Sequence, residues 1–386
     1  MSSSHPPWGL RAAPHLAVLG MGYVMFGYAG VPAFFMSRYG IDYAAFGLLM
    51  SATLLPVVLV QWPASRLVER TSATRVLLAA TVVQATVALT LDFAPTSEAL
   101  LGLRFLWGLA GGVLLSVGAT HIARLYEGTA ASRQQGLYGG MVTLGGAMGF
   151  LIAPWFTALT DGVGVHAFGA LVALPAVGAL WVHRSDQLTA PATSADDASP
   201  LAVATDRCVL LAALCYVAII SSYMTISTFV TAYFDELGVV GPLNALVLGT
   251  ATVGRTVGGS AVFRLPVRDA GVIGGATGVA VLGFLLLATG SRGPLLVALP
   301  FVVMLAVSVP FGAVYNVAAS ATNTEGVALA LVVAVGNLAA LALPAITGAV
   351  RDVTGGYGGA FALLGALNAL AVGAALLLQR RDHNET

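Results

Sequence analysis

Charge is scarce in this chain. Only 9% of its 386 residues are charged and 58% are hydrophobic, whereas an average soluble domain carries roughly 25% charged residues. Lysine is absent, so all 17 basic residues are arginine. A soluble fold of 39.2 kDa needs more charges than this to cover a water-facing surface. We therefore expect most of the surface to face lipid. The net charge of zero, without a basic stripe, excludes nucleic-acid binding.

Cysteine is equally scarce. The two cysteines, Cys208 and Cys215, lie in one apolar run, where a helix would separate them by about 10 Å along its axis. That separation is too large for a disulfide bond. Their spacing indicates no metal site, and the sequence contains no nucleophile with a neighbouring base and no phosphate-binding loop. We expect no cofactor, no bound metal and no enzymatic activity.

Long apolar runs dominate what is present. A helix needs about 20 apolar residues to cross the hydrocarbon core of a bilayer, and twelve runs of that length lie between charged and polar clusters. They are residues 14–36, 44–65, 75–94, 97–120, 136–158, 164–183, 208–231, 242–263, 270–289, 294–317, 326–349 and 358–379. The sequence therefore predicts an all-α membrane protein with twelve transmembrane helices.

The arginines predict the orientation of these spans. With the N-terminus in the cytoplasm, twelve arginines fall on the cytoplasmic side and three fall outside, which is the usual positive-inside bias. We expect a multi-pass protein of the cytoplasmic membrane with both termini in the cytoplasm. The polar stretch around TAPATSADDASP is typical of a flexible linker. The predicted domains are an N-terminal six-helix bundle (1–184), a cytoplasmic linker (185–206) and a C-terminal six-helix bundle (207–386).

The two halves resemble each other. A shift of 194 residues pairs Tyr39 with Tyr233 and Arg70 with Arg264, among other matches, without a gap. Parallel six-helix repeats are the build of one large transporter class, in which the substrate site lies at the midplane between the repeats. The repeat predicts two pseudo-symmetric six-helix bundles.

Three short segments carry recognisable motifs. The loop after the second run reads PASRLVERTSATRVLL, a weaker copy later in the chain reads GGSAVFRLPVRD, and the fourth run contains RFLWGLAGG. All three are similar to signatures of the major facilitator superfamily. In the loop, Leu67, Arg70 and Arg75 fit the signature, while Glu69 replaces its aspartate and Ser65 its glycine. The copy keeps its glycine and Arg264 but has Phe in place of the acid, and the fourth run resembles the Arg and Gly pattern of the same superfamily.

This resemblance implies a gate on the cytoplasmic side. In the superfamily, the acid of the loop signature docks near the start of span eleven when that side closes, and a helix N-terminus attracts such an acid through its dipole. The resemblance therefore implies gating roles for Glu69, Arg70, Arg75 and Arg264. The alternative is that Glu69 only balances the neighbouring arginines of a loop that sets the topology.

Two arginines, Arg104 and Arg255, lie within spans, and no acid lies deep in any span. An arginine near the bilayer centre costs about 2.5–3.5 kcal/mol, so these residues suggest a cavity that favours anions. Arg255 also resembles in position the span-eight arginine of superfamily carriers for monocarboxylates and oxalate. The alternatives are a structural role for Arg104 and a gating role for Arg255. The predicted substrate-binding residues are Arg255, Arg104, Gln61, Tyr28, Tyr223 and Asn337.

The sequence thus predicts a monomeric secondary transporter that moves a small organic anion by alternating access, with a proton or counter-substrate as a further partner. One alternative is a proton antiporter that exports drugs or hydrophobic metabolites. Its usual Gly-Pro run is missing, since Gly149 and Pro154 are separated in the fifth span. The glycines of this span are instead expected to permit close helix packing or bending; they are Gly139, Gly140, Gly145, Gly146 and Gly149. A non-transporting receptor or scaffold is the other alternative, and it would be expected to carry a larger soluble module.

Overall fold

The computed structural model describes residues 7–126, 128–185, 203–239, 241–261, 268–290, 293–321 and 325–384, and every regular element in these ranges is a helix. The first half of the chain forms α1 (Trp8–Gly27), α2 (Pro32–Tyr39), α3 (Tyr43–Arg70), α4 (Ala73–Leu91), α5 (Ser97–Leu125), α6 (Gly128–Thr160) and α7 (Ala167–Val182). The second half forms α8 (Arg207–Glu236), α9 (Leu243–Ala261), α10 (Asp269–Ala288), α11 (Pro294–Ser308), α12 (Phe311–Ser320), α13 (Glu325–Thr354) and α14 (Gly358–Asn384).

Most of these helices are suited to a membrane. Within the described ranges nine spans are long and apolar enough to cross a bilayer, or ten when α1 and α2, bent by 72°, count as one. Helices α11 and α12 together form a single span, Pro294–Ser320. Two of the twelve predicted spans fall on helices outside this set: α7 has only 16 residues, and α9 carries Arg255 among several glycines and threonines. An all-helical membrane protein is confirmed, and the number twelve stays a prediction.

Polar side chains begin two of the spanning helices. Thr96 precedes α5 and accepts a hydrogen bond from the Ala99 N–H at 3.2 Å. Asp206 precedes α8, and its carboxylate accepts bonds from the N–H groups of Cys208 (2.8 Å) and Val209 (3.0 Å). Each cap satisfies backbone donors that the first turn of a helix leaves without a partner. These helix starts are therefore specified locally by the sequence.

The chain divides into two compact units. The first comprises Met1–Tyr39 and Ala52–Thr193, and the second comprises Gly40–Ser51 and Ser194–Thr386. Helix α3 contributes to both units, because its first residues group with the second. There the carboxylate of Asp352 accepts hydrogen bonds from the N–H groups of Tyr43 and Ala44, at 3.2 and 2.9 Å. The predicted boundaries 1–184, 185–206 and 207–386 stay a prediction, and residues 186–202 of the linker lie outside the described ranges.

Glycines allow α1 and α6 to approach closely in the first unit. A Cβ atom added to Gly145 would lie 2.1 Å from the carbonyl oxygen of Leu19, and one added to Gly22 would lie 1.9 Å from that of Val142. No real side chain fits at such distances, so only glycine permits this backbone contact. The packing role that the sequence predicts for Gly145 is confirmed.

We expect Gly145→Ala to lower the free energy of unfolding by about 2 kcal/mol, because overpacking a tight helix contact costs roughly 1–3 kcal/mol. Gly102→Ala is the matched control: Gly102 lies on α5, and nothing lies within 4 Å of an added Cβ atom there. Thermal unfolding of the purified proteins in detergent compares the two. Equal stability of both variants would contradict the close contact.

Candidate functional site

Arg255 lies against two aromatic rings in the second unit. Its guanidinium carbon is 4.4 Å from the ring centroid of Tyr223 on α8 and 4.1 Å from that of Phe311, the first residue of α12. Cations within about 6 Å of an aromatic ring centre are attracted by the electrons of the ring face. The two rings therefore stabilise the cation, but they supply no negative charge and accept no conventional hydrogen bond.

More aromatic side chains surround this pair. Tyr216 packs edge-on against Phe311, with 5.7 Å between ring centroids. The hydroxyl oxygens of Tyr216 and Tyr315 lie 3.1 Å apart and share a hydrogen bond. A Cβ atom at Gly336 on α13 would lie 2.1 Å from Cδ1 of Tyr216, so α13 packs directly on that ring. The cluster combines aromatic surface with hydroxyl groups beside the half-buried side chain of Arg255.

Close packing of α9 brings Arg255 to this cluster. A Cβ atom at Gly258 would lie 2.2 Å from the carbonyl oxygen of Val309, and one at Gly254 would lie 2.7 Å from Cβ of Ser308. The two glycines are one turn apart, so they lie on the same face of α9. That face contacts the α11–α12 connection, and Arg255 follows Gly254 directly.

No group in the described ranges neutralises the positive charge of Arg255. In the part of the chain that the structure describes, Arg255 forms no ion pair and no hydrogen bond, and its Nε atom is buried without a partner. An arginine offers five N–H donors in a planar fork that matches a carboxylate. The arrangement can bind an anion through these donors.

Arg104 has different surroundings in the first unit. Only 1% of this residue is exposed. Its Nη1 lies 3.3 Å from Nε2 of His166, and its Nη2 donates a 3.0 Å hydrogen bond to the Met25 carbonyl. Its guanidinium carbon also lies 4.1 Å from the ring centroid of Tyr28. Protein groups thus engage this guanidinium on several sides, which is the geometry of the structural role considered above.

His166 connects Arg104 to a buried carboxylate. Its Nδ1 lies 2.7 Å from Asp92, and the Asp92 carboxylate also accepts bonds from the N–H groups of Gly164, His166 and Ala167 at 2.8–3.1 Å. These N–H groups belong to the start of α7, where a negative charge is favourable. Since Nδ1 donates to Asp92, Nε2 of a neutral His166 is free to accept from Arg104. Asp92 therefore supplies the counter-charge for Arg104 through the imidazole ring.

The protonation states follow from this geometry. Asp92 and His166 lie between helices, outside the spanning segments. Burial alone would raise the pKa of Asp92, but the hydrogen bond and charge of His166 and the α7 amides lower this pKa below its ordinary value. Burial lowers the pKa of His166, and the opposing effect of Asp92 is smaller. Near neutral pH the pair is an aspartate and a neutral histidine.

Acid is expected to destabilise the folded protein through His166. An unfolded histidine binds a proton as the pH falls below about 6.5, whereas folded His166, with its lowered pKa, does not. The stability contributed by neutral His166 is therefore complete above about pH 6.5 and is lost as the pH falls towards the folded pKa. His166→Gln should reduce this loss. Unfolding midpoints of both proteins between about pH 7 and 5 test the prediction, and parallel curves would contradict it.

A comparison with known families decides the class of this protein. The sequence model of the Major Facilitator Superfamily matches residues 15–328, well over half of the chain. The chain belongs to the major facilitator superfamily. No curated protein matches it. Superfamily members are membrane transporters and are generally not enzymes, so this multi-pass protein is a membrane transporter that handles a small-molecule substrate in a lipid bilayer.

The predicted substrate residues of this superfamily transporter fall into separate groups. Arg255 and Tyr223 are in contact in the second unit, and Arg104 and Tyr28 are in contact in the first. Asn337, 9% exposed, follows the glycine that packs on Tyr216. The backbone of Gln61 lies in α3, and its side chain is outside the described part of the structure.

The predicted gating residues belong to the superfamily's loop signature and its copy. Glu69 and Arg70 end α3, and their side chains are not among those described, while Arg264 lies outside the described ranges. Arg75 is at the start of α4, and its Nε donates a 3.1 Å hydrogen bond to the Arg184 carbonyl. The gating roles stay predictions.

Several residues of the two clusters were not predicted from the sequence. Phe311 and Ser308 flank Pro310 inside the predicted tenth span. This proline alone did not signal a break, since Pro300 of the same span lies inside a continuous helix. Asp92 and His166 were not among the predicted site residues. In the folded protein both residues lie close to Arg104, although the three residues come from separate parts of the chain. No local sequence pattern indicates this proximity.

Proposed function

We propose that this superfamily member is a secondary transporter of small organic anions, and that Arg255 binds the carboxylate of the cargo. The observation that carries the proposal is the guanidinium of Arg255, which lies against Tyr223 and Phe311. Its Nε atom is buried without a hydrogen-bond partner, and the side chain has no acidic partner in the described ranges. A cation held in a membrane protein without a counter-ion favours a ligand that supplies the missing charge.

Aromatic rings make the proposed site selective for anions that have both a charged group and an apolar part. The charged end of a small carboxylate would face the Arg255 fork, while its carbon atoms would contact the faces of Tyr223, Phe311 and Tyr216. Such a combination of apolar lining with one oriented charge is typical of small-molecule sites. Inorganic anions satisfy only the first of these contacts, so we propose an order of preference with organic carboxylates first.

The proposed mechanism is alternating access between two six-helix halves, the usual behaviour of parallel-repeat transporters. The gate would involve Glu69, Arg70, Arg75 and Arg264 on the cytoplasmic side. The positive-inside bias supports twelve spans in the cytoplasmic membrane with both termini in the cytoplasm. We further propose that the protein acts as a monomer. Its cargo enters together with a proton or in exchange for another anion, since the cargo itself brings the negative charge to Arg255.

A ligand screen tests the proposed cargo class. Purified protein is heated with acetate, oxalate, inorganic phosphate or the lipophilic cation tetraphenylphosphonium, because a ligand that binds the folded state raises the unfolding midpoint. We expect carboxylates to stabilise the protein most and the cation to have no effect. Stabilisation by the cation alone would overturn the proposal. Uptake of labelled carboxylate into proteoliposomes then distinguishes transport from binding.

A further inference from the structure

The span Pro294–Ser320 is broken beside Arg255. Helix α11 ends at Ser308 and α12 begins at Phe311, with Val309 and Pro310 between them. Pro310 has no N–H group and cannot continue the hydrogen-bond ladder of a helix. The first turn of α12 therefore starts afresh inside a spanning segment, and no side chain caps it. The N-terminus of such a half-helix carries a partial positive charge and outward-pointing N–H groups.

Arg255 lies against this helix start. Side chains in a helix lean towards its N-terminus, so the ring of Phe311 covers the beginning of α12, and the Arg255 guanidinium carbon is 4.1 Å from the ring centroid. Gly258, one turn further along α9, packs on the carbonyl of Val309 within the break. Two separate positive features, a guanidinium and a helix N-terminus, thus occur at one place in the second unit.

A buried hydroxyl group provides independent support. Ser308, at the end of α11, is 0% exposed, and its Oγ has no hydrogen-bond partner in the described part of the structure. Its Cβ atom faces Gly254, the residue before Arg255. A buried hydroxyl without a partner is unfavourable, and a bound acceptor near Arg255 would relieve this cost. The Nε atom of Arg255 is in the same condition.

We propose that the break in this span forms the second half of the anion site: a carboxylate held by Arg255 also accepts hydrogen bonds from the Ser308 hydroxyl and from backbone N–H groups at the start of α12. This inference rests on the proposed function and extends it. All the contributing groups are donors, so the site selects a deprotonated anion with several oxygen acceptors. Half-helix N-termini serve anions in the same manner in other membrane proteins with discontinuous helices.

Two substitutions test whether the break between α11 and α12 contributes to anion binding. Ser308→Ala removes the hydroxyl group with little change in volume, and Pro310→Ala allows the helix to continue and use its own amides. We expect each to raise the dissociation constant for oxalate roughly tenfold, which corresponds to the loss of one charge-assisted hydrogen bond. Ser320→Ala is the matched control, since Ser320 lies exposed at the far end of α12 and bonds only to the Val317 carbonyl. Titrations of purified protein with oxalate, followed by the unfolding midpoint, give the constants.

The outcomes separate this inference from the proposed function. If Arg255→Gln removes oxalate binding while Ser308→Ala and Pro310→Ala leave the dissociation constant unchanged, the break has no role and the proposed function stands. An effect of Ser308→Ala alone would remove the helix start from the site. If Arg255→Gln leaves the dissociation constant for oxalate unchanged, the proposed function is wrong, and the inference that rests on it is wrong as well. Should Pro310→Ala not fold, an amide chemical-shift response of Phe311 and Gly312 to oxalate in the native protein replaces it, and no response overturns the helix contribution.

Discussion

Arg255→Gln is expected to weaken the binding of small carboxylates by roughly 100-fold or more. A charge-assisted hydrogen bond contributes about 1.5–3 kcal/mol, and the planar fork of an arginine can form two of them with one carboxylate. Glutamine is neutral and offers a single donor group at that depth. The dissociation constants of acetate and oxalate for the purified protein, together with proteoliposome uptake, measure the effect.

Two further variants show which property of Arg255 matters. Arg255→Lys keeps the charge but loses the planar fork that lies against Tyr223 and Phe311, so we expect an intermediate loss of roughly tenfold. Arg380→Gln removes the same charge from an exposed position on α14 and should leave binding unchanged. The cargo proposal would be wrong if Arg255→Gln bound carboxylates as tightly as the native protein.

Asp92→Ala is expected to lower the free energy of unfolding by about 3 kcal/mol or more. The Asp92 carboxylate accepts hydrogen bonds from three backbone amides at the start of α7 and from the His166 ring. It is also the counter-charge for buried Arg104. Removing one partner of a buried charge pair typically costs about 3–5 kcal/mol, because the other charge is left uncompensated.

The matched control is Glu98→Ala, which removes an exposed acid from the first turn of α5. Its expected cost is small, because water and salt screen the attraction between an exposed acid and a helix N-terminus. Thermal or denaturant unfolding in detergent compares the two variants. If Asp92→Ala were no less stable than Glu98→Ala, the charge network around Arg104 would not contribute to folding as described.

Asp92→Ala also tests the role of Arg104. If Arg104 acts through the Asp92–His166 network, the variant should lose stability while the dissociation constant for carboxylates changes little. A loss of carboxylate affinity as large as that of Arg255→Gln would instead favour Arg104 as the substrate residue that the sequence predicted. Measuring both the stability and the carboxylate affinity of this variant thus distinguishes a structural role of Arg104 from a role in substrate binding.

Much of the fold followed from composition and local pattern. The scarcity of charge and the apolar runs predicted a helical membrane protein, and the loop signature around Arg70 and Arg75 predicted the superfamily. Local sequence could indicate these features because each depends on residues that are close together in the chain. The break at Pro310 could not be predicted in this way, because other prolines in apolar runs, such as Pro300 and Pro344, lie inside continuous helices.

The roles of the two membrane arginines were not open to prediction in this way. Arg104 and Arg255 look alike in the sequence, each a single charge within an apolar run. In the folded protein one is linked through His166 to Asp92, and the other faces two aromatic rings. Their partners are distant in the chain, and the difference between them arises from packing.

The amino-acid sequence by itself determined that this protein is helical, lies in a lipid bilayer and belongs to its transporter superfamily. These conclusions depend on local properties: the preference of apolar side chains for lipid over water, and the order of residues in one loop. Only the tertiary structure decided that Arg104 has a protein counter-charge and that Arg255 has none among the residues that the structure describes. Electrostatic energy depends on distances of a few ångströms between side chains, and those distances exist only after the helices have packed.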